Sequence, residues 1–554
     1  MSKTPESKHG GQILVDTLVQ LGLGRAYCVA GESYLPVLDG LVDYPDFEVV
    51  TCRQESGATF AAEADGHLKG APGLAMVTRG PGACNGSIGV HTAHQSGSPM
   101  ILLVGLISTA DRDKEAFQEF DLPQMFGSIS KWATVIDSAE RIPEYIVRAY
   151  HTAMSGRPGP VVLGLPEEIL FGEKTAAPAR VIKTRDIAPS EADVNDIVER
   201  LAKAQRPLII SGGSLWSDKA CADLTSFAET AEIPVACAFR RLDTFNHRHP
   251  NYIGTLGFGA NPDLVARVRD ADVILAVNDR LDEVTSQIYT LFGDKKSAEQ
   301  TVIQTYPDPA EFGKSLQPDL AVTCHVTPLM AALSAHAESL SGVRDGAWLA
   351  EGRAMLEAWQ TINVDAQPAW DGADMTLIFD YLRDALPENA VLTTDAGNFA
   401  GWCQRYLRFG RPGRFLAPVS GAMGYAVPSA VAGAIAHPDR VVVGVCGDGG
   451  FMMTGMEIAT AMSRGAKPII IVCNNGIYGT IKMHQEREYK GRPSATTLTN
   501  PDFAKLAQSY GAFGAVVEHA DEFAGVWEQA VAADTLALIE IRMDARQITT
   551  RAKV

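Results

Sequence analysis

The sequence predicts an α/β protein built of three doubly wound parallel-sheet domains, and its length and two regularities along the chain support this. With 554 residues, the chain is too long for one hydrophobic core, and about 150 residues per domain gives roughly three to four domains. Short apolar runs of strand length alternate with stretches of helical periodicity, the pattern typical of βαβ units. The alternation starts afresh twice, so we expect domains at residues 1–175, 186–340 and 360–554.

Each predicted domain contains four clear strand candidates. They are AYCVAG, EVVTCR, LAMVTRG and MILLVG in the first domain; PLIISGG, PVACAF, DVILAVN and TVIQTYP in the second; VLTTDAG, VVVGVCGDG, PIIIVCNN and LALIEIRM in the third. FGEKTAAPARVIKTRD has no clear periodicity and is predicted to be a linker. The third set is continuous enough in apolar residues to be buried on both faces of a sheet. Ligands of such sheets bind at the carboxyl ends of the strands, where we expect the functional side chains.

The composition favours small-molecule chemistry. Hydrophobic residues make up 46% of the chain and charged residues 21%, as in globular proteins that bury several cores. The formal net charge of −18 repels nucleic acid and anionic membrane surfaces, and no apolar run reaches the roughly 18 residues of a membrane span. The start MSKTPESKHGGQ has no apolar signal region, and the nine cysteines form no CxxC pair. We therefore expect a cytoplasmic protein with reduced thiols.

The segment from Gly447 to Asn475, GDGGFMMTGMEIATAMSRGAKPIIIVCNN, carries the most informative pattern. It turns through glycines after one strand candidate and returns as another, so its two ends share a sheet edge and Asp448 and Asn475 converge. A carboxylate and an amide oxygen are hard ligands suited to Mg²⁺, which completes its shell with water or diphosphate oxygens. The N–H groups of Gly449 and Gly450 can approach the same phosphates. The alternative is a buried crossover with a glycine turn and no ligand.

This segment resembles the signature of the thiamine diphosphate (ThDP) enzymes, in which GDG is followed by NN after one helix and one strand. Asn475 lies 27 residues after Asp448, and both flanking strands are predicted. The resemblance implies that Asp448 and Asn475 are metal ligands, with the Ile477 carbonyl as the third. It also implies that the three domains are, in order, pyrimidine-binding, central and diphosphate-binding.

Glu55 is the candidate for activating the cofactor. ThDP reacts after its thiazolium ring loses a proton, and a carboxylic acid hydrogen-bonded to the pyrimidine ring assists that loss. Glu55 follows EVVTCR and begins the predicted helix ESGATFAAEADGHLKG, at the functional edge of the first sheet. As an alternative, a glutamate in a first helical turn simply favours the helix dipole. RQESGATFAAEADG resembles the RHE-x-x-A-x-x-A-x-G segment of the superfamily, which implies the activating role, although Gln54 replaces the common His.

Three further residues are assigned to the cofactor by the resemblance alone. SGAMGYAVPSA is similar to the family segment that holds the pyrimidine, so the Gly421 carbonyl would receive the 4′-amino group and Met423 would hold the cofactor bent. Asn398 in DAGNF matches a position that helps to hold the diphosphate. Without the resemblance, Met423 is a core residue and Asn398 a turn residue.

Within the superfamily the chain resembles the acetohydroxyacid (acetolactate) synthase-like branch. GPGACNGSIGVHTAHQSGSPMILLVG, EAFQEFDLPQMFGSISKW and RPGPVVLGLP follow the pattern of that branch in order. The resemblance implies that Phe117 and Gln118 border the substrate; otherwise they form a polar loop with an aromatic anchor. Three features depart from the branch: residues 280–285 lack the arginine that receives the second 2-oxo acid, Glu167 replaces a usual Lys, and His484 replaces a common Trp.

Glu32 is a second candidate acid. In VAGESYL it occupies the place where 2-oxo acid decarboxylases carry an Asp near the cofactor, which implies a role in protonation at the substrate. Two carboxylates in different environments can divide acid and base tasks. The alternative is a solvated loop residue. His91, His94 and His484 are further candidates for proton handling or, alternatively, structural histidines.

Together these features predict a ThDP- and Mg²⁺-dependent enzyme that decarboxylates a 2-oxo acid such as pyruvate and transfers the acyl group to a carbonyl acceptor. The alternatives are a non-ligating 2-oxo acid decarboxylase, a hydroxyketone or 2-hydroxyacyl-CoA lyase, a catalytically silent ThDP-fold protein and a nucleotide-binding oxidoreductase. In the superfamily the activating Glu and the metal motif meet across a two-fold interface, which implies a homodimer or homotetramer. FAD in the central domain stays open, because SGGS at 211–214 is too short a glycine signal.

Overall fold

The computed structural model describes residues 7–292, 300–363 and 368–551. These residues form three six-stranded sheets, in which all neighbouring strands are parallel, and one short antiparallel pair. The predicted fold class, three α/β domains with parallel sheets, is confirmed. Within the described ranges, no helix has both the length and the apolar character needed to cross a membrane.

The first domain surrounds a sheet with the strand order β3-β2-β4-β5-β7-β6. Its strands are β1 (Lys8–His9), β2 (Arg25–Cys28), β3 (Glu48–Thr51), β4 (Gly73–Thr78), β5 (Met100–Leu106), β6 (Trp132–Val135), β7 (Pro160–Pro166) and β8 (Glu173–Lys174), of which β1 and β8 pair with each other. Its helices are α1 (Gly10–Gln20), α2 (Leu35–Val42), α3 (Glu55–Lys69), α4 (Arg79–Ser96), α5 (Leu122–Phe126), α6 (Ile142–Met154) and α7 (Glu167–Leu170). The chain leaves β2 towards both edges, so the sheet is doubly wound.

The central domain has the strand order β11-β10-β9-β12-β13-β14. Its strands are β9 (Pro207–Ser211), β10 (Val235–Cys237), β11 (Tyr252–Thr255), β12 (Val273–Val277), β13 (Thr301–Tyr306) and β14 (Leu320–Thr323). Its helices are α8 (Glu191–Lys203), α9 (Asp218–Thr230), α10 (Pro262–Asp270), α11 (Val326–Ala335) and α12 (Ala347–Gln360). The strand order changes direction between β9 and β12, which is where ligands bind in many sheets of this kind.

The third domain has the strand order β16-β15-β17-β18-β20-β19. Its strands are β15 (Val391–Thr394), β16 (Arg414–Leu416), β17 (Val442–Gly447), β18 (Ile469–Asn474), β19 (Phe513–Val517) and β20 (Ala537–Arg542). Its helices are α13 (Met375–Ala385), α14 (Ala400–Tyr406), α15 (Ala426–Ala436), α16 (Asp448–Thr454), α17 (Ile458–Arg464), α18 (Gly479–Glu488), α19 (Phe503–Ser509) and α20 (Phe523–Ala532). As predicted for this domain, β17 and β18 are buried except for their last residues.

The first and third domains share one hydrophobic core cluster, in which α3 packs on α15. The sequence of α15, AVPSAVAGAIA, contains small residues that are mostly buried, and small side chains let two helices approach closely. The Phe60 ring meets the Tyr425 ring edge-on, with 5.5 Å between the ring centroids. Inside this contact the Tyr425 hydroxyl donates to Glu63 at 2.5 Å and the Ser98 hydroxyl donates to the same carboxyl at 2.6 Å.

Glu63 makes the stability of this contact depend on pH. Burial raises the pKa of Glu63, so the folded protein keeps this proton at pH values where the unfolded chain has lost it. The resulting stabilisation is complete below the unfolded value of about 4.3 and is lost as the pH rises through the folded value. In Glu63→Gln, the amide can accept from Tyr425 and donate to Ser98 without titrating. We expect its free energy of unfolding to fall less steeply as the pH rises above about 4, with a difference of up to about 1.4 kcal/mol per pH unit.

Urea denaturation at a series of pH values measures this difference. Glu528→Gln is the matched control, because Glu528 is exposed on α20 and its replacement should leave the slope unchanged. Equal slopes in the wild type and Glu63→Gln would contradict the assignment.

Candidate functional site

The candidate site lies at the carboxyl edge of the third sheet. β17 ends at Gly447 and α16 begins at Asp448, while the neighbouring strand β18 ends at Asn474. Because the two strands are parallel, the loops that follow them meet. Asp448 and Asn475 line the same cavity, which has a volume of about 230 Å³.

Segments that follow five strands of this sheet, β15 to β18 and β20, contribute to the cavity. Four of these segments, those after β15 to β18, contain all eight residues that the sequence suggested for the cofactor or metal within this domain: Asn398, Gly421, Met423, Asp448, Gly449, Gly450, Asn475 and Ile477. The residues lie as far as 79 positions apart along the chain, from 398 to 477. Parallel pairing brings them together.

The Asp448 carboxylate is buried and held by N–H donors. Its Oδ1 accepts from the backbone N–H of Gly449 at 2.9 Å, and its Oδ2 accepts from the N–H of Gly476 at 2.9 Å and from Asn500 Nδ2 at 2.7 Å. Burial raises the pKa of Asp448. Asn500 also donates to Asn474 Oδ1 at 2.9 Å, so it links the two loops. Sequence reasoning missed Asn500, which lies in a loop with no recognisable motif.

The neighbouring loop adds two neutral oxygen atoms. Asn475 Oδ1 accepts from the N–H of Ile477 at 3.2 Å, and the Ile477 carbonyl accepts from the N–H of Gly479 at 2.9 Å. Each of these oxygens retains a second lone pair for another partner. A carboxylate, an amide oxygen and a backbone carbonyl around one cavity are a donor set that fits Mg²⁺.

Asp395 organises the segment that contains Gly421 and Met423. It is buried, and its carboxylate accepts from the N–H of Gly424 at 3.0 Å and from that of Ala426 at 2.6 Å. Burial raises the pKa of Asp395 to about 6. Sequence reasoning missed this residue, although its position at the end of the strand candidate VLTTDAG was an available signal.

The approach of Asp395 to Gly450 requires glycine at position 450. A Cβ atom at that position would lie 2.1 Å from Asp395 Oδ2. Alanine would therefore displace the carboxylate that holds Gly424 and Ala426. We expect Gly450→Ala to destabilise the protein by about 1–3 kcal/mol and to weaken binding of the predicted ThDP cofactor by about tenfold, or roughly 1.4 kcal/mol.

Calorimetric unfolding and cofactor titration measure the two effects. Gly525→Ala in α20 is the control, because a Cβ at position 525 meets no atom within 4 Å, and alanine inside a helix is favourable by about 0.5–1 kcal/mol. Wild-type stability and wild-type cofactor affinity in Gly450→Ala would refute this steric account.

Glu55 occupies the corresponding edge of the first sheet. It begins α3 after β3, and its Oε2 accepts from Asn85 Nδ2 at 2.9 Å. The Gln54 side chain caps the helix by accepting from the N–H of Ser56 at 2.5 Å. Glu55 does not line the cavity formed by the third domain of the same chain.

Three family models match successive parts of the chain. They are the thiamine pyrophosphate enzyme N-terminal TPP binding domain at residues 8–125, the central domain at 194–333 and the C-terminal TPP binding domain at 395–541. The chain belongs to the thiamine pyrophosphate enzyme family. The cavity lies within the part matched by the C-terminal model, apart from Met543, Gln547 and Ile548, and Glu55 lies within the part matched by the N-terminal model.

Curated relatives of this thiamine pyrophosphate enzyme align along nearly the whole chain. The acetolactate synthase isozyme 2 large subunit of Escherichia coli (strain K12) is 28% identical over 97% of this chain and 96% of its own length. The acetolactate synthase of Bacillus subtilis (strain 168) is 27% identical over 98% and 94%. A probable acetolactate synthase large subunit of Methanocaldococcus jannaschii is 29% identical over 97% and 92%.

Glu32 of this thiamine pyrophosphate enzyme is in an ion-pair network that sequence reasoning did not foresee. Its side chain is 71% exposed, and its Oε1 lies 3.3 Å from Nη1 of Arg79, at the start of α4. The same guanidinium forms an ion pair with Glu167. Glu167, which departs from the usual Lys, therefore has a structural partner here, and Arg79 is a further polar candidate near the first sheet edge.

The remaining candidates lie outside the cavity. Gln118 has a left-handed backbone with φ 67°, and its carbonyl accepts from the N–H of Gly80 at 3.1 Å. It lines a separate cavity of about 660 Å³. His484 is exposed on α18 and does not line the 230 Å³ cavity. His91 is partly buried, and burial lowers the pKa of His94 to about 4, which keeps His94 neutral at neutral pH.

In the central sheet of this thiamine pyrophosphate enzyme, an asparagine side chain joins the loops after β9 and β12, where the strand order changes direction. Asn278, which follows β12, donates through Nδ2 to the carbonyl of Ser214 at 2.8 Å and to that of Gly212 at 3.3 Å. A cavity of about 20 Å³, lined in part by Arg157 and Asp279, lies beside this position. A larger cavity of about 420 Å³, lined in part by Gly213 and Ser214, also borders the loop after β9.

Proposed function

We propose that the protein is an acetolactate synthase-like carboligase that depends on ThDP and Mg²⁺. It would decarboxylate a 2-oxo acid and transfer the acyl group to a carbonyl acceptor. The observation that carries the proposal is the convergence of eight candidate residues from four segments of the chain on one cavity. The relatives that align along nearly the whole chain are acetolactate synthases, which supports ligation over the other outcomes.

The metal-binding and diphosphate-binding roles follow from the donor set. Asp448, Asn475 and the Ile477 carbonyl would hold Mg²⁺, which would supply positive charge to balance the diphosphate. The N–H groups of Gly449 and Gly450 lie in the first turn of α16, where backbone donors and the helix dipole favour anions. Asn398 would add a side-chain contact to the same group.

The remaining cofactor contacts would orient the reacting ring. The Gly421 carbonyl would accept from the exocyclic amine of the pyrimidine, and Met423 would pack between the two rings. When bound, ThDP supplies an electron sink for the carbon–carbon bond that breaks or forms. Glu55 would hold the proton at the pyrimidine nitrogen and so assist proton removal from the thiazolium ring.

We propose that each site is shared by two chains of a homodimer or a larger homo-oligomer. The 230 Å³ cavity is smaller than the roughly 300–1,000 Å³ of pockets that enclose a ligand, and Glu55 does not line it. Met452 and Met453 on α16 are 51% and 45% exposed, and Ile88 on α4 is 39% exposed. Apolar side chains beside both half-sites are typical of an interface. A two-fold axis would bring Glu55 of one chain to the cavity of the other.

Product analysis by NMR tests the proposed reaction most directly. With ThDP and Mg²⁺, a panel of 2-oxo acids with and without aldehyde acceptors should give CO₂ and a 2-hydroxyketone or acetohydroxy acid. We expect Glu55→Gln to lower turnover by about 10²–10⁴-fold while retaining ThDP, and exposed Glu528→Gln to leave turnover unchanged. The visible absorbance spectrum of the wild-type preparation shows whether flavin is bound.

Other products would identify the rival reactions. A free aldehyde without ligation would indicate a decarboxylase, and cleavage of hydroxyketones or 2-hydroxyacyl-CoA substrates without consumption of 2-oxo acids would indicate a lyase. Wild-type turnover in Glu55→Gln would refute the proposed role of Glu55.

A further inference from the structure

Glu457 is a buried carboxylate of the third domain that reaches into the first domain. It ends the 3₁₀ turn Gly455–Glu457, immediately after α16, and is 1% exposed. Its Oε1 accepts from the backbone N–H of Arg53 at 3.0 Å and from that of Gln54 at 3.1 Å. Its Oε2 lies 3.2 Å from the Arg53 nitrogen and accepts from the Thr460 hydroxyl.

The two backbone donors immediately precede Glu55. Gln54 is the N-cap residue of α3 and Glu55 is its first residue, and the first N–H groups of a helix have no partner inside the helix. A carboxylate at this position satisfies such donors and interacts favourably with the positive end of the helix dipole. Glu457, supplied by another domain, therefore satisfies the N–H groups of the N-cap residue Gln54 and of Arg53 before it, while the Gln54 side chain accepts from the first turn of α3.

The packing around Glu457 leaves its carboxylate little freedom. A Cβ atom at Gly57, in the first turn of α3, would lie 2.3 Å from Glu457 Oε1. The glycine thus permits the carboxylate to sit directly against the helix backbone. The contact fixes the position of the backbone that carries Glu55, to which Glu457 itself makes no side-chain hydrogen bond among the described residues.

We propose that Glu457 is a positioning residue for Glu55. It fixes the start of α3, so that the Glu55 carboxyl is held at the distance needed to share a proton with the cofactor. The inference rests on the proposed function, because it assumes the activating role of Glu55. Small displacements of a proton-transferring group are costly, since an error of about 1 Å can lower a rate by about 100-fold.

A purely structural role, in which Glu457 only docks two domains, predicts a different set of effects. Loss of docking would lower stability and cofactor affinity together. Loss of positioning would slow proton removal from the cofactor while affinity remained. Glu63 offers the matched comparison, because it is a buried carboxyl on the same helix that also joins the first and third domains, through Tyr425, but it lies two turns away from Glu55.

The experiment compares Glu457→Gln, Glu457→Asp and Thr460→Val with Glu63→Gln and Glu55→Gln. Glutamine retains the size of Glu457 but places an NH₂ group against one backbone donor, and aspartate retains the charge but is one methylene shorter. Valine at position 460 removes only the hydroxyl that holds Glu457, which provides a mild variant if the others fold poorly. Each holoenzyme is assayed for exchange of the thiazolium C2 proton with deuterium, by acid quench and NMR, and for ThDP affinity.

A second readout does not depend on the cofactor. Hydrogen–deuterium exchange of the protein alone, followed by mass spectrometry, reports protection of the peptide that contains Arg53 and Gln54. We expect Glu457→Gln to lower this protection and to slow C2 exchange by about 10- to 100-fold, with ThDP affinity within about threefold of wild type. Thr460→Val should have a smaller effect of the same kind, and Glu63→Gln should leave C2 exchange unchanged.

The outcomes separate this inference from the proposed function. Wild-type C2 exchange in Glu457→Gln and Thr460→Val, with strong loss in Glu55→Gln, would overturn the role of Glu457 and leave that of Glu55 intact. Equal slowing in Glu457→Gln and Glu63→Gln would also overturn it, because the effect would then not be specific to the carboxylate at the start of α3. Wild-type exchange in Glu55→Gln would refute the proposed function itself.

Discussion

The packing of α3 on α15 is the contact on which both halves of the candidate site depend. It joins the first and third domains in one hydrophobic cluster, and its buried polar centre is the Glu63 carboxyl with the Tyr425 and Ser98 hydroxyls. One end of α3 carries Glu55, and the segment before α15 carries Gly421 and Met423. A shift between the two helices would therefore displace Glu55 relative to the segment that contains Gly421 and Met423.

Three buried carboxylates hold the backbone around the candidate site. Asp395 holds the loop before α15, Asp448 joins the start of α16 to the loop after β18, and Glu457 holds the start of α3. Each is buried and accepts backbone N–H groups, so each satisfies donors that would otherwise be costly to bury. The candidate cofactor site is thus surrounded by backbone loops that side-chain carboxylates hold in place.

Much of the fold was predictable because the central strands of each sheet are continuous apolar runs. All twelve strand candidates correspond to strands, whereas β6, β7, β11, β14, β16 and β19 were not predicted as separate strands. β7 is a buried interior strand within RPGPVVLGLP. The other five are edge strands, and β6, β14 and β19 are mainly half-buried. A strand that is short, or that faces solvent along one edge, needs no long apolar run, so its sequence carries a weaker signal. The linker prediction missed only the short pairing of β8 with β1.

The residues of the candidate site likewise fall into those that the sequence predicted and those that it did not. Residues within contiguous motifs, such as Asp448 and Asn475, were recognisable because they directly follow two adjacent parallel strands, although two helices, α16 and α17, connect these strands where one was predicted. Asn500, Glu457 and Arg79 were not, because their partners lie on other segments and become neighbours only in the folded chain. The predicted roles of Glu32, Gln118 and His484 depended on resemblance, and these residues lie outside the 230 Å³ cavity of the same chain.

Complementation between two inactive chains tests most directly whether Glu55 and Asp448 belong to one site built from two chains. Glu55→Gln and Asp448→Ala chains with different affinity tags would be co-expressed, and the dimers that contain both would be isolated through the two tags. The account predicts about half of the wild-type turnover per dimer, because one of the two sites then has both residues intact, while each variant alone is inactive. Mixed dimers with no more turnover than the single variants would contradict the shared site.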